Sequence, residues 1–124
     1  MAAPNIIAAT SVFGKSATVS LTTTSATEVL SNADASGKVF KVNTLIVSNV
    51  DGTNASDITV SYYSEDNIGG TATEIIQLKS VAAKTNLIVL DKNTSIYLEE
   101  NRSIGATASS ASDLKVIVSY EEIA

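Results

Sequence analysis

In Leu114-Lys-Val-Ile-Val-Ser-Tyr120, Leu114, Val116, Val118 and Tyr120 fall on one side, with Lys115 and Ser119 opposite. A pleated strand with one buried face imposes this period of two. Ile58-Thr-Val-Ser-Tyr-Tyr63 repeats it, with Ile58, Val60 and Tyr62 against Thr59, Ser61 and Tyr63. No stretch sustains a 3.6-residue period, and the plentiful Val and Ile suit a pleated, half-buried surface. Leu45-Ile-Val47 and Leu87-Ile-Val-Leu90 are apolar on both faces. Such runs predict strands covered by the core on one side and by a loop or a neighbouring subunit on the other.

Turn formers punctuate these runs. They lie at Asn32 to Gly37, Asp51 to Asp57, Asn67 to Gly70, Asp91 to Asn93, Asn101-Arg102 and Ser109 to Asp113. Strands are predicted near 5–13, 15–23, 27–31, 38–50, 57–64, 72–80, 85–91, 95–99, 103–108 and 113–121. Many short strands with regular turns imply an all-β chain, a single antiparallel β-sandwich of jelly-roll or Ig-like kind. Alternation fails at Asn43-Thr44, which predicts a bulge there. Gly69 and Gly70 are expected to supply positive φ to a tight hairpin.

A chain of 124 residues, 44% hydrophobic and 17% charged, has room for one domain. Within it, residues 1–26 differ from the sandwich region 27–124, because Lys15 is their only charge. They form either the first strands of the sandwich or an arm exchanged with a neighbouring subunit. Their large apolar side chains, Ile6, Ile7, Val12 and Phe13, are interface candidates.

The chain has no Cys and no His, which removes thiolate and imidazole chemistry. No catalytic residue, cofactor or metal is expected. Gly14-Lys15-Ser16 and Lys79-Ser80 hold Ser–Lys pairs, but neighbouring strand residues point to opposite faces. Glu65-Asp66, Glu99-Glu100 and Glu121-Glu122 read as solvated charge that discourages edge aggregation. Asp51-Gly-Thr-Asn-Ala-Ser-Asp57 is rich in oxygens that suit Ca²⁺, but its residues are also standard turn formers and lack EF-hand spacing. Tyr62 and Tyr120 are expected in the core, and Tyr63 and Tyr97 at an interface. A formal charge of -5 and a pI near 4.5 argue against a nucleic-acid partner. No basic leader and no apolar run of membrane length is present, so no membrane partner is expected.

Three segments together resemble a known family. They are Gly37-Lys-Val-Phe-Lys-Val-Asn-Thr-Leu-Ile-Val-Ser-Asn49, Ile96-Tyr-Leu-Glu-Glu-Asn-Arg-Ser-Ile-Gly-Ala-Thr-Ala108 and Asp113-Leu-Lys-Val-Ile-Val-Ser-Tyr-Glu-Glu-Ile123. Their order and spacing resemble the small β-sandwich virion structural proteins of tailed bacteriophages, especially marine cyanophages, over roughly residues 25–124. Relatives often carry Gly-Asp at the turn where this chain has Asn101-Arg102. The resemblance implies a non-enzymatic virion protein. Its first placement is a capsid decoration (cement) protein on the shell, a homo-oligomer with a trimer favoured, whose partners are the major capsid protein or other virion proteins. Its second placement is a tail, neck or fibre-attachment component. The alternative from another class is a carbohydrate-binding host-recognition module using Tyr63 and Tyr97 or the Asp51–Asp57 loop.

Overall fold

A computed structural model describes residues 4–124, so the first three residues of the N-terminal segment lie outside the described residues. The strands are β1 (Val12–Ser20), β2 (Thr27–Asn32), β3 (Val39–Asn49), β4 (Ser56–Tyr63), β5 (Ala72–Val81), β6 (Asn86–Leu90), β7 (Ile96–Leu98), β8 (Arg102–Ala108) and β9 (Leu114–Ile123). Two short 3-10 turns, Ile6–Ala8 and Lys92–Thr94, complete the elements.

The strands form two antiparallel sheets. The first runs β1-β9-β3-β6, with the short β7 also paired to β3, and the second runs β2-β8-β4-β5. The chain changes sheet at every connection except β4 to β5 and β6 to β7. This order is the double Greek key of a jelly roll, the first of the two expected sandwich types, with β7 as a small addition.

The alternating side chains meet between the sheets. Leu21, Val42, Leu45, Val47, Ile58, Val60, Leu98, Ile104, Leu114 and Val118 are all 0% exposed. Each such burial contributes about 1.5–3 kcal/mol against the ordering entropy of the chain. Tyr62 and Tyr120 pack against this core as expected, and the Tyr120 ring lies 5.1 Å from Phe40. Burial pushes the Tyr62 phenol above its ordinary value, with Arg102 pulling the other way.

Two buried asparagines tie the loops to the sandwich. Asn32 donates to the carbonyls of Lys38 and Leu98 and accepts from the Ser36 hydroxyl. Asn49 donates to the carbonyls of Asn54 and Val81 and accepts from the Asp51 N–H. Each amide bridges one loop carbonyl and the carbonyl of a strand's last residue, Leu98 of β7 or Val81 of β5.

The strands expected at 5–13 and 15–23 are one strand preceded by a turn. The Asn5 side chain accepts the Ile7 N–H at 3.1 Å and closes the 3-10 turn. Gly14 does not break the strand; it sits inside β1 with open space where a Cβ would stand. The expected bulge is present, since the β3–β9 register shifts between Val42 and Thr44. At the β4–β5 hairpin Gly70 has φ of 72°, while Asn67 and Ile68, not Gly69, take the other left-handed positions.

Candidate assembly surface

The N-terminal segment is anchored at its end nearest β1. The N–H groups of Thr10 and Ser11 donate to the Ala124 carbonyl, and the Ala124 N–H donates to Ser11. From there β1 pairs with β9 over nine consecutive residues without a register shift, Val12 opposite Ile123 and Ser20 opposite Lys115. The segment therefore contributes a strand to its own sandwich in this structure.

That strand is thinly covered. Only Ala17 and Val19 of β1 are half-buried against the core, and the rest is exposed. Ile6 is 46% exposed, Ile7 96%, Val12 59% and Phe13 55%. The Lys15 ammonium lies 3.3 Å from the Glu122 carboxylate, which also pairs with Lys38 at 3.5 Å. The single charge on this strand is thus answered from within the chain.

Cross-strand register places the remaining candidates. Tyr97, Lys41, Glu121 and Gly14 form one row on the outer face of the first sheet. Ile88, Ile46, Ile117 and Thr18 form another. Ile88 and Ile117 stay exposed. Ile88 accounts for the run in β6 that reads as apolar on both faces, while Ile117 interrupts the polar face of the alternating β9. Ile88 is 60% exposed, while Leu87 and Val89 on the other face of β6 pack against the core. A shallow cleft of about 250 Å³ lies at the far end of β1, lined by Thr18, Ser20, Ser48, Lys115 and Ile117.

Tyr63 sits elsewhere. It lies on the outer face of the second sheet, half-buried over Gly105, beside Ile68 from the 64–71 loop. Tyr63 and Tyr97 therefore face away from one another on different sheets and form no single aromatic platform. Sequence reasoning did not single out Ile88 or Ile117 as surface residues. The signal was present as unbroken apolar runs, but it does not say which face remains open.

The other polar clusters resolve into structure. The Asp51 carboxylate accepts the N–H groups of Asn54 and Thr53, and the Asn54 bond chiefly holds its pKa below the ordinary 3.8. Lys15 turns to Glu122, while the Ser16 hydroxyl donates to Ser119 at 3.3 Å on the other face. Among the described residues no three acidic, Cys or His side chains gather into a metal-binding group. Asn101 takes a left-handed φ of 59°, so it supplies at this turn the conformation for which glycine is ordinarily used.

No family model and no curated protein matches the chain. Among solved structures, the chain is similar to one from Bacillus endospore appendages, described as a family of disulfide-linked pili. The match has a TM-score of 0.52 over 90% of this chain and 87% of that chain. Sequence identity is 12%, so the likeness is one of β-sandwich fold.

Proposed function

We propose that this chain is a non-enzymatic structural protein that acts by adhesion to other subunits. The observation that carries this is the exposed apolar set Ile6, Ile7, Val12 and Phe13, along a segment whose only charge is internally paired. Exposed apolar groups gathered on one edge gain free energy when a partner covers them. The acidic balance keeps unassembled subunits apart in solution.

The finer reading is a tailed-phage virion protein at the capsid surface, a decoration protein contacting the major capsid protein or its own copies. The resemblance of the three segments supports it, and those segments form β3, β7, β8 and β9. A tail, neck or fibre placement is the second position within the same reading. The fold shared with the endospore appendage supports another reading, an appendage subunit. With no cysteine in the sequence, residues 1–124 of such subunits would form no disulfide link.

Quantitative mass spectrometry of purified virions against the major capsid protein tests the proposal. Copies on the order of hundreds place the chain on the shell. A number matching a single symmetric ring places it at the neck, tail or fibres. Absence from virions overturns the phage reading, and isolated cell-surface appendages become the material to examine.

A further inference from the structure

We infer that two copies of this chain pair through β1, strand against strand about a two-fold axis centred on Ser16. The inference deepens the adhesive reading above and rests on it for its biological purpose. Its physical basis is the ledger of backbone groups along β1.

Antiparallel strands alternate between residues that exchange both hydrogen bonds with their neighbour and residues whose groups point away. Ser11 exchanges both bonds with Ala124, and the Leu21 N–H donates to Leu114 in the same register. Counting in twos, Phe13, Lys15, Ala17 and Val19 bond to β9. Val12, Gly14, Ser16, Thr18 and Ser20 point their groups the other way. Five residues with one N–H and one C=O each make ten outward groups, and among the described residues no strand lies beyond β1.

The other sheet edges are defended and β1 is not. β5 shifts register twice against β4, and Leu78 turns left-handed at φ 48°. β2 has six residues with a shift between Glu28 and Leu30. β6 has five residues and runs into the turn at Asp91, and β7 has three. Bulges and brevity are the usual protections of an edge. β1 has nine residues, no bulge and no proline, and its lone Lys15 is engaged by Glu122.

Register selects the partner. If Ser16 faces Ser16 of a second copy, Val12 faces Ser20 and Gly14 faces Thr18. All ten outward groups of each strand then lie within the ladder. In the same register Phe13, 55% exposed, falls opposite Val19 of the second copy on the core-side face. Lys15 falls opposite Ala17. Sliding by two residues one way sets Lys15 against Lys15, and sliding the other way forfeits a bonded pair. Hydrogen bonding, apolar pairing and charge agree on one alignment, which joins two first sheets into one continuous sheet.

The test uses the full chain. Sedimentation velocity is expected to show a concentration-dependent dimer. Thr18→Pro removes an outward N–H and leaves the β9 ladder intact, so it should raise the dimer dissociation constant about tenfold or more. The chain has no native thiol, so Ser16→Cys gives a single reporter within disulfide reach on the axis. Mild oxidation should cross-link it. Ser20→Cys should not cross-link, because its two thiols would lie about 27 Å apart. If Thr18→Pro fails to fold, the paired cysteine variants still decide. Equal cross-linking of both variants, or none, overturns the pairing. Association undiminished in a folded Thr18→Pro variant also overturns it, while leaving self-association intact. Presence in purified virions or appendages is judged separately and bears only on the adhesive reading.

Discussion

Glu100 is the residue most at odds with its surroundings. It is 6% exposed, and neither carboxyl oxygen has a hydrogen-bond partner among the described residues. Asn32 and Asn49 show the opposite solution, since each buried amide is engaged on both its nitrogen and its oxygen. Burying a polar group without a partner costs about 1–3 kcal/mol. Glu100→Met keeps the length of the side chain and removes both oxygens. It is expected to raise the urea midpoint, with a gain of about 1 kcal/mol or more. A fall in the midpoint would show that the carboxyl has a stabilising partner in the folded protein.

At the scale of the element, β8 is held by what its sequence leaves out. A Cβ at Gly105 would stand 2.8 Å from the Ile68 side chain, 2.9 Å from the Tyr63 ring and 3.3 Å from the Thr27 carbonyl. Glycine there lets the β4–β5 hairpin fold down over the second sheet. The Ile68 N–H donates to Ser103, whose hydroxyl donates to the Glu65 carbonyl, and this fastens the loop to the same strand. Gly105→Ala is expected to destabilise by about 1–3 kcal/mol and to speed proteolysis within 64–71, because the loop must lift to admit the methyl. An unchanged melting temperature would mean that the loop is not seated on β8. None of this packing was legible in the sequence, where Gly105 is one small residue in an apolar run. The strands themselves were legible, since β2 to β9 begin and end within two residues of the predicted spans. Alternation encodes burial directly, so it survives into the fold. The N-terminal strand failed because Gly14 resembles a turn residue, and its fit within β1 depends on the distant partner Glu121. The proposed assembly surface was legible as composition, in Ile6, Ile7, Val12 and Phe13. Its geometry was not, because outward backbone groups depend on which β1 residues bond to β9.

For the whole molecule, the question is whether the N-terminal segment serves folding or adhesion. Deleting residues 1–27 would confuse the two. It removes all of β1, bares the edge of β9 and takes away Leu21, which is 0% exposed in the core. A single exposed position separates them better. Ile7 is 96% exposed on a turn that holds no buried residue, so it contributes little to the folded monomer. Ile7→Asp should leave stability within about 0.5 kcal/mol of the parent, as surface substitutions usually do. If the segment adheres to another subunit, the new carboxylate must be desolvated at that contact. Binding to that subunit should then fall about tenfold or more. Thermal melts and subunit binding on the same protein read the two roles independently. Unchanged binding with an unchanged melt would remove Ile7 from the adhesive surface and leave the β1 edge to carry assembly alone. A collapsed melt would assign the segment to the fold, because only a residue that supports the monomer can unfold it when changed.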